Sequence, residues 1–166
     1  MQLDLTASLL MIDGQPLPAR MNGAEFLAIA GPPVKSREIK MHPSGIRRVH
    51  ASASGIVWYL DEPEDVISHF HVAVSPLDTP ESPDHAFAGS ILFGGVVLDA
   101  ESTEARLNRQ DAIQLVGRHH SGWYDTPDHN ITLCFERPRN PSGKRSNKAH
   151  RLAYISVSFN ANRSEA

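Results

Sequence analysis

The chain is organised as short apolar runs separated by turn residues. The segments "LLMIDGQPL" at 9–17 and "ILFGGVVLD" at 91–99 both place a turn-forming pair between two apolar runs, which is typical of a β-hairpin. Further apolar runs at 46–50, 56–60 and 66–75 predict strands, with turns at 51–55 and 61–65. The pattern therefore predicts antiparallel sheets joined by tight turns.

Two segments carry the start and stop signals of short helices. Asn22 is a good N-cap, and Glu25 three residues later completes a capping-box pattern. Gly31 and the prolines after it end that helix. The second segment runs from Asn108 to Gly117 with the same spacing. We expect two short helices, packed on one face of the sheet.

Several features recur in the same order in the two halves of the chain. Each half has a hairpin, a capped helix, a strand after a Ser-Gly pair, a strand ending near a proline, and a last strand. We therefore predict an α+β fold of two tandem ββαβββ-type repeats, at 1–75 and 89–160, with a linker at 76–88 and a disordered tail at 161–166. The alternative is that any α+β chain yields such echoes.

The alternation along the strands predicts which side chains share a face. The core face is expected to carry the apolar positions Ile56, Trp58, Leu60, Val72, Val74, Ile131, Leu133, Phe135, Ile155 and Val157. The other face mixes small, polar and aromatic side chains, including Tyr59, His69, His71, Cys134 and Tyr154. An antiparallel sheet can leave one face uncovered, and aromatic residues on such a face are consistent both with a docking surface and with a merely solvated face.

Composition narrows the class of protein. A net charge of −3 argues against a dedicated nucleic-acid binder, and a single cysteine excludes an internal disulfide. No apolar stretch reaches the length of a membrane span, and the N-terminus is a poor signal peptide, so we expect a soluble cytoplasmic protein. The usual catalytic and nucleotide-binding motifs are missing from the sequence, which predicts a protein that is not an enzyme and has no cofactor.

Two histidines offer an alternative chemistry. His69 and His71 are two residues apart on a predicted strand, so their rings project from one face and could hold a metal ion. His129 or Asp125 could supply a third ligand. The competing interpretation is a pair of polar residues on an open sheet face. Cys134 is more typical of a small apolar strand residue than of a nucleophile.

Two loops at equivalent repeat positions have opposite charge. "DEPED" at 61–65 is acidic and could imitate phosphate, whereas 137–151 is basic and could grip an acidic partner or nucleic acid. Each could also be a solvated hairpin tip.

The segments "FLAIAGPP", "SGIRRV", "GIVWYLDEP" and "FHVAVS", with "AIQLVG", "SGWYD", "ITLCFERP" and "YISVSF", resemble the tandem module of β-lactamase-inhibitor-like folds. The opening "LLMIDGQPL" with "EFLAIAGPP" also resembles small bacterial proteins, some of them immunity partners of secreted toxins. The resemblance implies a sheet that presents a surface to a protein partner. The extra N-terminal hairpin in each half departs from the inhibitor pattern.

We therefore expect an immunity-type inhibitor that occludes the active site of a cognate toxin or effector protein. The predicted partner-binding residues are Tyr59, Asp61, Glu62, Glu64, Asp65, His69, His71 and Tyr154. One alternative is a metal-binding protein or enzyme that uses His69 and His71. Another is a self-associating adaptor or homodimer, in which edge strands pair with a second copy.

Overall fold

The structure is a computed structural model that describes residues 1–40, 45–62, 65–75, 85–107, 121–136 and 150–160. Several predictions lie outside these residues. They are the second helix at 108–117, Glu64, residues 76–84 of the linker, residues 137–149 of the basic loop, and the tail.

The described part of the chain is mainly β, with two sheets and few, short helices. In chain order the elements are β1 (Gln2–Leu5), β2 (Leu10–Ile12), β3 (Gln15–Pro16), α1 (Gly23–Ala30), β4 (Pro33–Lys40), β5 (Ile46–Ser52), β6 (Ile56–Glu62), β7 (Val66–Ala73), β8 (Ser90–Phe93), β9 (Val96–Leu98), α2 (Glu104–Leu107), β10 (Ser121–Asp125), β11 (His129–Glu136) and β12 (Arg151–Phe159).

The smaller sheet combines the two hairpins predicted from the sequence. Its strand order is β3-β2-β1-β8-β9, so the N-terminal strands lie beside the hairpin that follows the linker. Strands β1 and β8 run parallel, with Leu3 opposite Ile91, which corrects the expectation of purely antiparallel sheets. A parallel pair needs a long connection, and here most of the first half of the chain lies between the two strands.

The larger sheet has seven strands in the order β10-β11-β12-β7-β6-β5-β4, all antiparallel. Its central strand is β7, which pairs with β12, and these are the last described strands of the two halves of the chain. The sequence pattern does not predict strand β4, because Pro33 marks only the end of the helix there. An edge strand tolerates proline at its first residue because its outer backbone needs no ladder partner.

Helix α1 has the ends predicted for it. The Asn22 side chain accepts a hydrogen bond from the Glu25 backbone N–H at 2.9 Å, and the Glu25 carboxylate accepts one from the Asn22 N–H at 2.9 Å. Gly31, at φ 78°, ends the helix in a conformation that favours glycine. Phe26 is fully buried, with its ring 5.7 Å from that of Trp58 and 5.0 Å from that of Phe70. This contact fixes α1 on the core face of the large sheet.

One hydrophobic core joins both sheets and both helices. Residues from β1, β2 and β8 belong to the same cluster as the core face of the large sheet, and Leu107 of α2 is buried in it. The predicted core positions are confirmed, with Leu60 and Val74 at its partly buried margin. Helix α2 begins at Glu104, ahead of Asn108, so the second half reaches a helical conformation earlier than the sequence predicted.

The end of the predicted linker is docked onto the large sheet. The Phe87 N–H donates to the Ala73 carbonyl at 2.7 Å, and the Ala88 N–H donates to the Ser54 carbonyl at 3.3 Å. Gly55 has φ 83°, and a Cβ there would collide with the Phe87 backbone. Glycine at this turn therefore lets residues 85–88 approach closely.

Candidate binding face

The site is built on the face of the large sheet that points away from the core, which we call the open face. Cross-strand pairing places Tyr59 of β6 opposite His69 of β7, and His71 of β7 opposite Ser156 of β12. Tyr154 of β12 pairs with Ala73, which is the next residue of β7 after His71 on the same face. Four of the predicted partner-binding residues are thus neighbours across three strands, and we call Tyr59, His69, His71 and Tyr154 the ring row.

The rings of the ring row are in contact with one another. Tyr59 stacks on His69 with centroids 3.8 Å apart and planes 15° apart. His69 and His71 have centroids 5.3 Å apart, and His71 lies 5.2 Å from Tyr154. Because each ring holds its neighbour, the row presents a preorganised aromatic surface, which lowers the entropy lost on binding.

Burial keeps both histidines of the row neutral. It lowers the pKa of His69 to about 4, with further lowering from His71 and Arg47. Burial alone lowers the pKa of His71 to about 4. The Ser68 hydroxyl lies 3.1 Å from Nδ1 of His69 and further fixes that ring. At pH 7 the row is therefore uncharged, and each imidazole keeps one nitrogen able to accept a hydrogen bond.

Tyr154 ends the row next to the single cysteine. Burial raises the pKa of Tyr154, and its hydrogen bond with Cys134 raises it further. Burial also raises the pKa of the Cys134 thiol. The raised pKa disfavours the thiolate, which is the nucleophilic form of cysteine, and the Cys134 side chain is hydrogen-bonded to Tyr154.

Beside the ring row the open face is less open than predicted. Val49, Ala51 and Val57 are buried there and form a small second apolar cluster, with Ile39 and Tyr59 packed against it. Tyr59 thus joins the cluster to the row. The four rings and the small polar side chains of β11 and β12 are half-buried on this face.

The predicted acidic residues do not act as one patch. Asp61 lies on the open face and pairs with Arg47, whose Nε and Nη2 donate at 2.5 and 2.9 Å. This contact raises the pKa of Arg47. Glu62 points to the other side of the sheet and lies 3.0 Å from Nη1 of Arg48. Both carboxylates therefore already have a cationic partner within the chain.

Asp65 lies beside the start of α1 rather than on the open face. Its Oδ1 would be 2.7 Å from a Cβ placed on Gly23, the first residue of α1. A carboxylate at this end interacts favourably with the helix dipole. Asp65 also has φ 50°, which fits the turn between β6 and β7. Its position is explained by the fold.

The metal alternative loses one of its suggested ligands. His129 is 1% exposed on the core face, and its Nε2 lies 3.1 Å from the Pro18 carbonyl oxygen. It cannot reach His69 and His71 on the opposite face. Asp125 is three strands away from His69 and accepts a hydrogen bond from Asn130 at 2.8 Å. Within the described ranges, no three His, Cys, Asp or Glu residues are grouped to hold a metal ion.

Two features of the face were missed from the sequence. Arg47 is one, because its role depends on the β5–β6 register. Trp123 of β10 is the other: it is 38% exposed and pairs with Thr132 on the open face. The alternation of "SGWYD", with Gly122 and Tyr124 buried, would have placed Trp123 on this face.

Family models, curated proteins and solved structures were compared with this chain, and none of them matches it. Among the described residues no helix has the length and apolar character needed to cross a membrane.

Proposed function

We propose that this protein is a cytoplasmic, immunity-type inhibitor that binds a cognate toxin or effector protein through the open face. The observation that carries the proposal is the ring row. Its four rings lie on the side of the large sheet opposite the main core, and two of them are tyrosines, a residue type that is enriched at the anchoring positions of protein interfaces.

The size of the face supports a protein as the partner. Seven strands span six inter-strand spacings, or about 29 Å at 4.8 Å each, and an eight-residue strand is about 26 Å long. The whole face therefore measures about 750 Å² in projection, so a partner would have to cover most of it to reach the roughly 800 Å² that one side contributes to a standard interface. The paired carboxylate of Asp61 adds a fixed polar contact at one end of the ring row.

The test is a binding and inhibition experiment with the product of the adjacent gene. We expect a one-to-one complex that lowers the partner's activity. Tyr59→Ala and Tyr154→Ala each remove an anchoring ring and should weaken binding by at least thirtyfold, which corresponds to about 2 kcal/mol. Val97→Ala, at an exposed position of the small sheet, is the matched control. Undiminished binding by both ring variants would contradict the proposal.

Metal binding by His69 and His71 is a second candidate, favoured by their adjacent, neutral imidazoles. Neutral imidazole is the form that ligates zinc. Metal analysis of the purified protein tests it, since one equivalent of zinc that disappears in His71→Gln supports a metal site and a metal-free protein argues against one.

We also propose that the chain is a tandem duplication. In the described part of the chain each half has a hairpin and a helix followed by antiparallel strands, four in the first half (β4 to β7) and three in the second (β10 to β12), and β7 and β12 lie side by side in the large sheet. Residues 1–75 expressed alone should then form a dimer through β7, as the duplicated halves do within one chain. A chain that stays monomeric and unfolded would argue against this origin.

A further inference from the structure

We propose that Asn22 is a modification site, whose side-chain amide is lost by reaction with the Gly23 backbone nitrogen when the first turn of α1 opens. The two products of this reaction differ in their effect on the helix, because aspartate keeps the N-cap and isoaspartate destroys it. The proposal is independent of the open-face proposal, since α1 lies on the core side of the large sheet.

The residues at this turn have the composition that the reaction requires. Asn22 is the one asparagine of the sequence that is followed by glycine. Glycine has no Cβ and a permissive backbone, so its nitrogen can approach the preceding side chain with little steric hindrance. The Asn22 side chain is also exposed, so water can reach it.

The reaction consumes one water molecule and leaves the chain uncut. The Gly23 nitrogen loses its proton and forms a bond to Cγ of Asn22, while the side-chain nitrogen leaves as ammonia and takes up that proton. The product is a five-membered cyclic imide, which water then opens. Cleavage of the bond between the nitrogen and Cγ gives aspartate. Cleavage of the bond between the nitrogen and the main-chain carbonyl carbon gives isoaspartate, in which the chain runs through Cγ.

In the folded chain the cap holds the two reacting groups apart. Closure of a five-membered ring requires the Gly23 nitrogen to eclipse Cβ of Asn22 about the Cα–C bond, and the ψ of 171° at Asn22 turns this nitrogen away from Cβ. The Asn22 Oδ1 is held as well, because it accepts a hydrogen bond from the Glu25 N–H at 2.9 Å. The reaction therefore needs the first turn of α1 to open, and helix ends open at a lower free energy than the whole domain.

Packing explains why glycine follows Asn22 at this turn. A Cβ on Gly23 would lie 2.7 Å from Oδ1 of Asp65 and 3.2 Å from Cδ1 of Leu60, so a larger residue would have to displace its neighbours. Asn22 forms an isolated bridge with Val66 in addition to the cap. The residue that makes Asn22 reactive is thus one that the contact between α1 and the β6–β7 turn requires.

The two products have opposite consequences for α1. The aspartate product keeps a side-chain oxygen within reach of the Glu25 N–H, and aspartate is a good N-cap. Isoaspartate adds a methylene group to the backbone and uses the former side chain as the main chain, so the acceptor oxygen and the chain cannot both take their positions in the cap. The turn that positions Phe26 against Trp58 and Phe70 is then lost.

The test compares the full chain incubated in mildly alkaline buffer with the same chain unfolded in urea. Mass spectrometry of the tryptic peptide 21–35 detects the change from amide to acid at Asn22, and fragmentation of that peptide distinguishes isoaspartate from aspartate. We expect the reaction to be roughly thirtyfold or more slower in the folded chain. Asn130 is the internal control, because it precedes the β-branched Ile131 and should stay intact over the same period.

Two variants separate the role of the cap from the chemistry of the amide. Glu25→Ala removes the carboxylate that accepts from the Asn22 N–H, so it should speed the reaction in the folded chain severalfold. Glu104→Ala, in the first turn of α2, is the matched control for a lost acidic residue and should leave the rate unchanged. Asn22→Ser keeps a capping hydroxyl and cannot react, so its urea midpoint should be the same before and after incubation. The isoaspartate fraction of the native chain should have a lower midpoint.

Four results would overturn the proposal. An unreactive Asn22 in the unfolded chain would show that it is not a modification site. Equal rates in the folded and unfolded chains, or a folded-state rate that Glu25→Ala leaves unchanged, would show that opening of the first turn does not control the reaction. An isoaspartate fraction with the urea midpoint of the unreacted chain would show that the cap survives the modification.

Discussion

Lowering the pH from 7 to 4 should destabilise this protein through His69 and His71, the two histidines whose pKa burial lowers to about 4. Both have a pKa of about 4 in the folded state, compared with about 6.5 when unfolded. Between these values the unfolded chain binds protons that the folded chain does not, so stability falls as the pH falls. The contribution of the two neutral imidazoles to the free energy of unfolding is complete above about pH 6.5 and is lost as the pH approaches 4.

The magnitude follows from the gap of about 2.5 pH units for each ring, which corresponds to about 3 kcal/mol per histidine at most. The steepest slope is about 1.4 kcal/mol per pH unit per histidine. Each charged ring disfavours the other, so the pair together contributes several kcal/mol. A domain of this size has about 5–15 kcal/mol in total, so the loss should be conspicuous.

Urea unfolding at pH intervals from 4 to 7.5 measures this dependence. His69→Gln/His71→Gln removes both titrating rings, so its free energy of unfolding should change with pH less steeply than that of the native chain by up to about 2.7 kcal/mol per pH unit. His85→Gln, at an exposed position outside the ring row, controls for loss of an imidazole. Equal slopes for the native chain and the double variant would refute the reasoning.

Three further predictions concern the fold and are measured as the free energy of unfolding in urea. Phe26→Ala should cost about 3–5 kcal/mol because it empties the fully buried contact that holds α1 on the sheet; a cost below 1 kcal/mol would contradict that role. Asn22→Ala should cost about 1 kcal/mol by removing the N-cap, whereas Asn22→Asp should be nearly neutral. Gly55→Ala should cost well over 1 kcal/mol because its Cβ collides with the Phe87 backbone, whereas Gly14→Ala, with a similar φ of 76° and open space, should cost only about 1 kcal/mol. Equal losses for the two glycine variants would exclude the collision.

Signals within a few residues of sequence were sufficient to predict the elements whose ends and faces depend on neighbouring residues. The capping box and Gly31 define α1, because the groups that satisfy its ends lie within three or four residues of them. The alternation along β6 and β11 likewise identifies Trp58 and Leu133 as core residues, because a strand points successive side chains to opposite faces.

Contacts between residues far apart in the sequence determine the structural features that local patterns did not predict. Nothing local marks β4 as a strand, since its exposed side chains show no apolar alternation and its backbone is held by β5. The parallel pairing of β1 with β8 brings together residues almost ninety positions apart, and no local pattern encodes it. Asp61 and Glu62 are a further example. Their adjacent positions suggested one acidic patch, but the sheet places their side chains on opposite faces.

By itself, the sequence determined where turns and caps fall and which side of each strand is apolar, because those properties depend on backbone geometry over a few residues. Only the tertiary structure decided that Tyr59, His69, His71 and Tyr154 form one continuous row. The row depends on the register of three strands, and a shift of one residue in any of them would turn its side chains to the opposite face. The burial that keeps both imidazoles neutral has the same origin, because it comes from neighbours that the chain supplies only once the sheet has formed.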